Sequence, residues 1–341
     1  AHMNLGEYAQ ADSIHRIVER SRERLPPTER HLLDFGLAIS AGDQAGKLRA
    51  ARQVVALLPG SEWHYLQGFA AVGVNRPREA LETLRRTDPR HGWLDGWTGY
   101  WSVLTNARHM LGQHRRELKE AQQARAQYPE LLSTLSYEVQ ALAALGRMKE
   151  VNERLDESLA LPPERSWSAG RVMLNAANEL RAHGKTEAAQ QAANRAVAWY
   201  TAQPAKQQGV ETHRYGLGLA LYQAGRWSEA RTLFQSLAAE KPDNVSYQGY
   251  LGVVAARTGD RATAARISQA LGSLDRPYLF GQYLYWQARI AAVLGERERA
   301  VTLLTNAYTE GRSYDASVHA EMDFESLRGY PPFRELLRPK G

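Results

Sequence analysis

One short pattern recurs from end to end of this chain, and it constrains the fold more than any other feature. A small or apolar run leads into a Gly or Asn turn, then three or four polar residues, then an Ala-rich helix. The turns fall at Gly6, Gly42, Asn75, Gly112, Gly146, Gly184, Gly225, Gly259 and Gly295. They are spaced 33 to 41 residues apart, a period that marks a repeat architecture. Glycine suits the left-handed residue that ends the first helix of a pair. Proline, which ends a helix, follows 17 residues later at Pro59, Pro129, Pro163 and Pro242. Between turn and proline the apolar residues keep helical spacing, as in Ala230 and Phe234 after Gly225.

This pattern overrides the reading from length alone. A chain of 341 residues suggests two ordinary domains of about 150 residues each. A repeat array instead forms one elongated unit in which each hairpin hides its apolar face against its neighbours, without a single central core. The expected product is an all-α, right-handed α-solenoid of about nine units. The first is truncated, because only five residues precede Gly6. The array spans 1–314, with a candidate flexible joint at 200–212, and a cap follows at 315–341. Phe324/Leu327 and Phe333/Leu336/Leu337 are placed to fold back on the last hairpin. A solenoid that starts half-way through a unit is expected to be a piece of a longer protein, and Ala1-His2-Met3 has the look of a vector scar.

The units resemble the tetratricopeptide repeat family over nearly the whole chain. The best run from Tyr215-Gly216-Leu217-Gly218 to Pro242 and from Tyr250-Leu251-Gly252 to Pro277. Ala80/Leu84 and Ala300/Leu304 occupy the same two places after their turns. The family's small residue is replaced by Lys47, Glu117 and Val151 in three units, which read as irregular repeats. The ending Asp323-Phe324-Glu325-Ser326-Leu327 through Leu337 resembles the C-terminal end of tetratricopeptide regions of bacterial serine/threonine kinases and of some bacterial transcriptional regulators. That resemblance implies a sensor or docking region beside a separate effector. No kinase motif is present: there is no Gly-rich phosphate loop, no His-Arg-Asp and no Asp-Phe-Gly.

Enzyme chemistry finds little support. The chain has no cysteine, which excludes thiol catalysis, disulfides and cysteine-held metal. The pair His109 and His114 straddles the Gly112 turn, a spacing that does not set two imidazoles on one helical face, so no metal is expected. Gly216-Leu217-Gly218 lies inside a helix with no strand before it, so it is no nucleotide loop. No cofactor is expected. No run of 18 apolar residues crosses a membrane, and no basic–apolar–small leader opens the chain. The compartment stays open between the cytoplasm and the outer face of a membrane-anchored parent.

The net charge is +6 with 43 Lys and Arg, 36 of them Arg. A basic chain invites a nucleic-acid reading, but the arginines are scattered and interleaved with acids. Binding is expected instead in a groove lined by the first helix of each hairpin. Counting back six residues from the turns selects Phe69, Asn106, Gln140, Asn178 and Arg289. Counting back ten selects Tyr65, Ser102, Ser136, Tyr215 and Tyr285. Counting back three adds His109, Arg181 and Tyr222, and Arg171 flanks Asn178. Polar residues in this phase argue for an exposed face. The family resemblance implies that Asn at the six-back place holds a ligand backbone and that nearby cations clamp carboxylates. The expected partner is therefore a protein or peptide segment of acidic character. A ligand sensor gating an attached effector and a nucleic-acid-binding array are the alternatives. The aromatic group Trp63, Trp93, Trp97, Tyr100 and Trp101, with Trp97 and Trp101 on one helix face, either fills an irregular core or forms an exposed patch.

Overall fold

All nine turn residues sit at positive φ, from 60° at Asn75 to 84° at Gly295. Asn is one of the few side-chain-bearing residues that tolerates this region. The computed structural model describes residues 6–341, so the reading of Ala1-His2-Met3 lies outside the described residues.

From Gly42 onward a helix stands on either side of each turn, and one follows Gly6. After α1 (Tyr8–Glu19) come α2 (Pro27–Ala41) and α3 (Gln44–Leu57), then α4 (His64–Gly73) and α5 (Pro77–Leu84). The next hairpins are α6 (Gly99–Met110) with α7 (His114–Gln127), and α8 (Leu132–Ala144) with α9 (Met148–Ser158). They are followed by α10 (Ala169–Ala182) with α11 (Thr186–Thr201), a short α12 (Ala205–Gln208), and α13 (Glu211–Gln223) with α14 (Trp227–Glu240). The last are α15 (Val245–Arg257) with α16 (Arg261–Gly272), and α17 (Gln282–Val293) with α18 (Arg297–Thr309). Short helices α19 (Ser317–Ala320) and α20 (Pro331–Leu337) complete the chain.

First helices pack on first helices of the neighbouring units, α4 on α6, α6 on α8, α8 on α10, α10 on α13 and α15 on α17. This is the stacking by which a hairpin buries a face it cannot bury alone. The architecture is an all-α solenoid of tetratricopeptide-like hairpins. Among the described residues no helix is long and apolar enough to cross a membrane.

The residue five places after each turn, where a second helix crosses its first, is buried. It is Ala at positions 11, 80, 189, 230, 264 and 300, and Val at 151. A methyl group lets two helix axes approach closely. At two units the same buried place holds a charge, Lys47 and Glu117. Gly216 and Gly218 also serve close packing, since a Cβ there would meet the rings of Tyr200 at 2.5 Å and Phe234 at 2.9 Å. The stretch 200–212 carries α12 and is tied down by Gln208, which donates to the carbonyls of Thr201 and Gln203.

The array is not open-ended, and here the expectation of an elongated rod is corrected. Its first and last units touch. The ring of Tyr8 lies edge-on to Phe280 at 4.9 Å, and Tyr278 donates its hydroxyl to Asp12 at 3.2 Å. Gln44 donates to the Gly311 carbonyl at 2.6 Å. The chain after α18 then runs along the face made by the first helices. The Tyr314 amide donates to Gly73 at 3.0 Å and the Lys340 amide to Asn75 at 2.7 Å. Phe324, Leu327, Phe333 and Leu337 do pack on the last hairpin. The segment they belong to reaches the other end of the array as well, so it is a strap rather than a cap on one unit.

Candidate functional site

The face lined by the first helices is the one selected from the turn spacing, and most of it is already filled by the chain's own strap. Asp323 is completely buried there. Arg289 holds it with Nε at 2.8 Å and Nη2 at 2.7 Å, and Arg257 adds Nη2 at 2.7 Å. Tyr222 donates its hydroxyl to the same carboxylate. Burial alone would raise the Asp323 pKa. The two guanidiniums outweigh it and hold the group below its ordinary value. Arg289 also reaches Glu321 at 3.2 Å and stands 4.1 Å from the ring of Trp286, so the cation is enclosed by charge and by π faces. Tyr285 is buried beside it, directs its hydroxyl to Glu321 at 3.4 Å and carries Arg312 at 3.5 Å over its ring.

Asn106 accepts the backbone amide of Ala316 at 2.7 Å. A main chain therefore lies on the six-back asparagine, and it belongs to the protein itself. Arg181 donates to the Gln223 carbonyl at 3.0 Å. These findings correct the expectation that Tyr222, Tyr285 and Arg289 line an open groove. They are polar and inward because a buried acidic strap covers them. Ser136 is also fully buried and accepts from Asn175 at 3.0 Å. Tyr215 packs among Phe234, Tyr247 and Tyr250, so both belong to packing between units. Ser102, Gln140 and Asn178 are half-buried, and Arg171 is exposed, 6.0 Å from the ring of Trp167.

One part of the face stays open. Where the first units meet the last, Tyr8, Phe35, Tyr65, Phe69, Trp97 and Phe280 help line a cavity of about 850 Å³. That size suits a ligand or the side chains of a short segment. Trp93 joins this wall: its ring lies 5.7 Å from Tyr65 and 5.7 Å from Trp97, which lies 4.9 Å from Tyr65. Phe69, Trp93 and Trp97 are each 40% exposed. Trp97 lies in the loop before α6 and faces the cavity, whereas Trp101 is buried in the core. The two are not on one helix face, because the helix starts only at Gly99.

Into this cavity projects Lys47, from the crossing position of α3. It is 3% exposed, and its Nζ stands 4.5 Å over the ring of Phe69. Among the described residues no carboxylate lies within ion-pair reach of it. Burial pushes its pKa down to about 8.

The second charged crossing position, Glu117, lies among histidines. His109 lies in the last turn of the first helix and His114 begins the second, so the Gly112 turn folds them together. Their rings are 4.9 Å apart and both Nδ1 atoms lie 3.0 Å from the Glu117 carboxylate. The expectation that their spacing separates them is corrected: it holds within one helix and fails across a hairpin. Glu179 approaches the other side of the His109 ring at 3.4 Å. Burial lowers the pKa of His109, but Glu117 and Glu179 outweigh it and raise it to about 9.

No protein-family model matches the sequence, and no curated protein does. Solved structures do resemble the chain. A tetratricopeptide repeat protein from Parabacteroides merdae is 16% identical, covering 74% of this chain and 93% of its own, with a TM-score of 0.41. A Rap protein complexed with competence and sporulation factor is 14% identical over 89% and 92%, with a TM-score of 0.39. A human IFIT1 dimer with m7Gppp-AAAA is 14% identical over 94% and 77%, with a TM-score of 0.38. The assignment of the fold rests on the turns and hairpins described above.

Lys47, Arg257, Glu179 and Asp323 were absent from the residues selected by turn spacing. Lys47 carried a signal of its own, a cation at a place where six other units put a methyl group. Arg257 stands two residues before its turn, out of phase with the positions counted, and Asp323 lies outside the repeats.

Proposed function

We propose that this protein is a non-catalytic interaction module that receives an acidic segment of a protein partner in the aromatic cavity around Lys47. Its setting is the regulatory or scaffold part of a larger bacterial signalling protein. The observation that carries the reading is the buried, unpaired ammonium. A buried charge without a counter-ion is costly, and six other units hold Ala at the same place. A partner carboxylate in the cavity supplies the missing charge, and the surrounding rings supply apolar contact for the side chain beside it.

The strap illustrates the chemistry this face accepts. It presents Asp323 to arginines and the adjacent Phe324 to an apolar pocket. A partner segment with a carboxylate next to a large apolar residue is matched to Lys47, Phe69 and Trp97 in the same way.

Peptides bearing a Glu-Phe or Asp-Phe pair, and their Gln-Phe and Asn-Phe counterparts, test this by titration against tryptophan fluorescence. Saturable binding by an acidic peptide is expected, with at least tenfold weakening both in the amide counterpart and in Lys47→Met. Equal affinity in the Lys47→Met protein would contradict the assignment, as would absence of any binding.

A further inference from the structure

The cluster at the Gly112 turn is built from residue types that hold metals. We infer that His109, His114 and Glu117 form a binding site for a divalent first-row transition metal of the zinc class, with Glu179 as an outer carboxylate.

Three observations carry the inference. The donor atoms of His109, His114 and Glu117 all lie within 4.8 Å of one another. Two imidazole nitrogens and one carboxylate are the donor set of many zinc sites, and no cysteine competes for a softer ion. The three ligands come from a rigid element, the end of α6 and the first turn of α7, joined by a turn at φ 64°.

The second observation is Glu117 itself. It is fully buried at the helix crossing, where most other units place Ala. An acidic side chain there costs desolvation that a neutral repeat avoids, and the two imidazoles turned toward it are themselves metal donors. The third is Glu179, 3% exposed, whose Oε1 lies between two imidazoles, 3.4 Å from His109 Nε2 and 2.8 Å from His183 Nε2. A carboxylate on the far nitrogen of a ligand histidine fixes its tautomer and orientation. His183, with its ring 5.3 Å from that of His114, is the nominee for the fourth coordination position. An ion bound here would tie α6, α7 and α10 together directly beneath the strap, whose Arg328 donates to the Ala182 carbonyl at 3.3 Å.

The test uses the full chain after chelator treatment. Calorimetric titration with ZnCl₂ is expected to give one saturable site, and Co²⁺ to give the visible ligand-field bands of a four-coordinate centre. Mg²⁺ should give neither. Glu117→Ala restores the residue most other units carry, and His114→Gln changes a partly exposed side chain, so two independent variants probe the site. Each should weaken Zn²⁺ binding at least tenfold with the helical circular dichroism unchanged. No saturable binding of either metal overturns the inference. Undiminished binding in a folded His114→Gln or Glu117→Ala protein overturns it equally.

Discussion

Arg289 and Asp323 meet as a completely enclosed ion pair, 2.7 Å apart, between the last hairpin and the strap that follows it. Tyr222 and Arg257, from units further back in the array, converge on the same carboxylate. Three hairpins therefore depend on one acidic side chain. Asp323→Ala leaves the buried guanidinium of Arg289 and the half-buried one of Arg257 with less compensation, and the expected loss is about 3–5 kcal/mol. Urea denaturation of the variant checks this. The loss should exceed that of the exposed Glu325→Ala change by several-fold.

The closure also depends on a place where no side chain fits. Gly311 has φ 107°, and a Cβ there would stand 2.7 Å from the Gly42 carbonyl oxygen. Gly311→Ala combines left-handed strain with a backbone clash, so roughly 2 kcal/mol or more is expected to be lost. Amide exchange should show where the loss occurs. Tyr314, bonded to Gly73, should lose protection before the amides in the middle of α10.

Lys47 sets a pH dependence whose sign is fixed. Its ordinary pKa of 10.5 falls to about 8 in the folded chain. Between these values the unfolded chain binds more protons, so this residue makes stability rise with pH from about 8 to 10.5. Below pH 8 the charged, buried form lowers stability by a constant amount. Lys47→Met should remove the slope and stabilise the protein at neutral pH by on the order of 1–3 kcal/mol. Binding of an acidic peptide should weaken as pH rises through about 8, where the ammonium is lost. Denaturation and titration curves at pH 7 and pH 9.5 check both signs.

The most exposed tryptophans are the two in the cavity. Trp93 and Trp97 are each 40% exposed, whereas Trp101 is 7% and Trp286 is 4% exposed. Acrylamide quenching should fall markedly in the Trp93→Phe/Trp97→Phe protein, and an acidic peptide should protect the wild type from quenching.

The repeat was legible because its determinants are local. A left-handed residue, a proline and helical spacing are all written within one unit, and the turns at Gly42, Asn75 and Gly225 needed nothing else. The candidate sites were less legible because they arise from contacts between units far apart in the chain. Asn106 was selected for holding a peptide backbone, and it does hold one, yet no count of turns reveals that Ala316 supplies it. His109 and His114 are five residues apart, off one helical face, and they meet only because the turn at Gly112 folds one helix back on the other. Lys47 and Glu117 were visible as departures from the small crossing residue. Read as irregularity, they concealed that each buries a charge beside a cluster of rings.

Both the cavity and the strap require the two ends of the array to meet, and the cysteine-free sequence allows a direct test. A Cβ at Gly73 would lie in van der Waals contact with the Ser313 side chain, 3.5 Å from its hydroxyl oxygen, so two cysteines placed there are within reach of each other. The Gly73→Cys/Ser313→Cys protein, oxidised under mild conditions and analysed by peptide mass spectrometry, should form the 73–313 disulfide within one chain and nearly to completion. Persistent free thiols in the folded protein, or cross-links only between chains, would contradict the closed array.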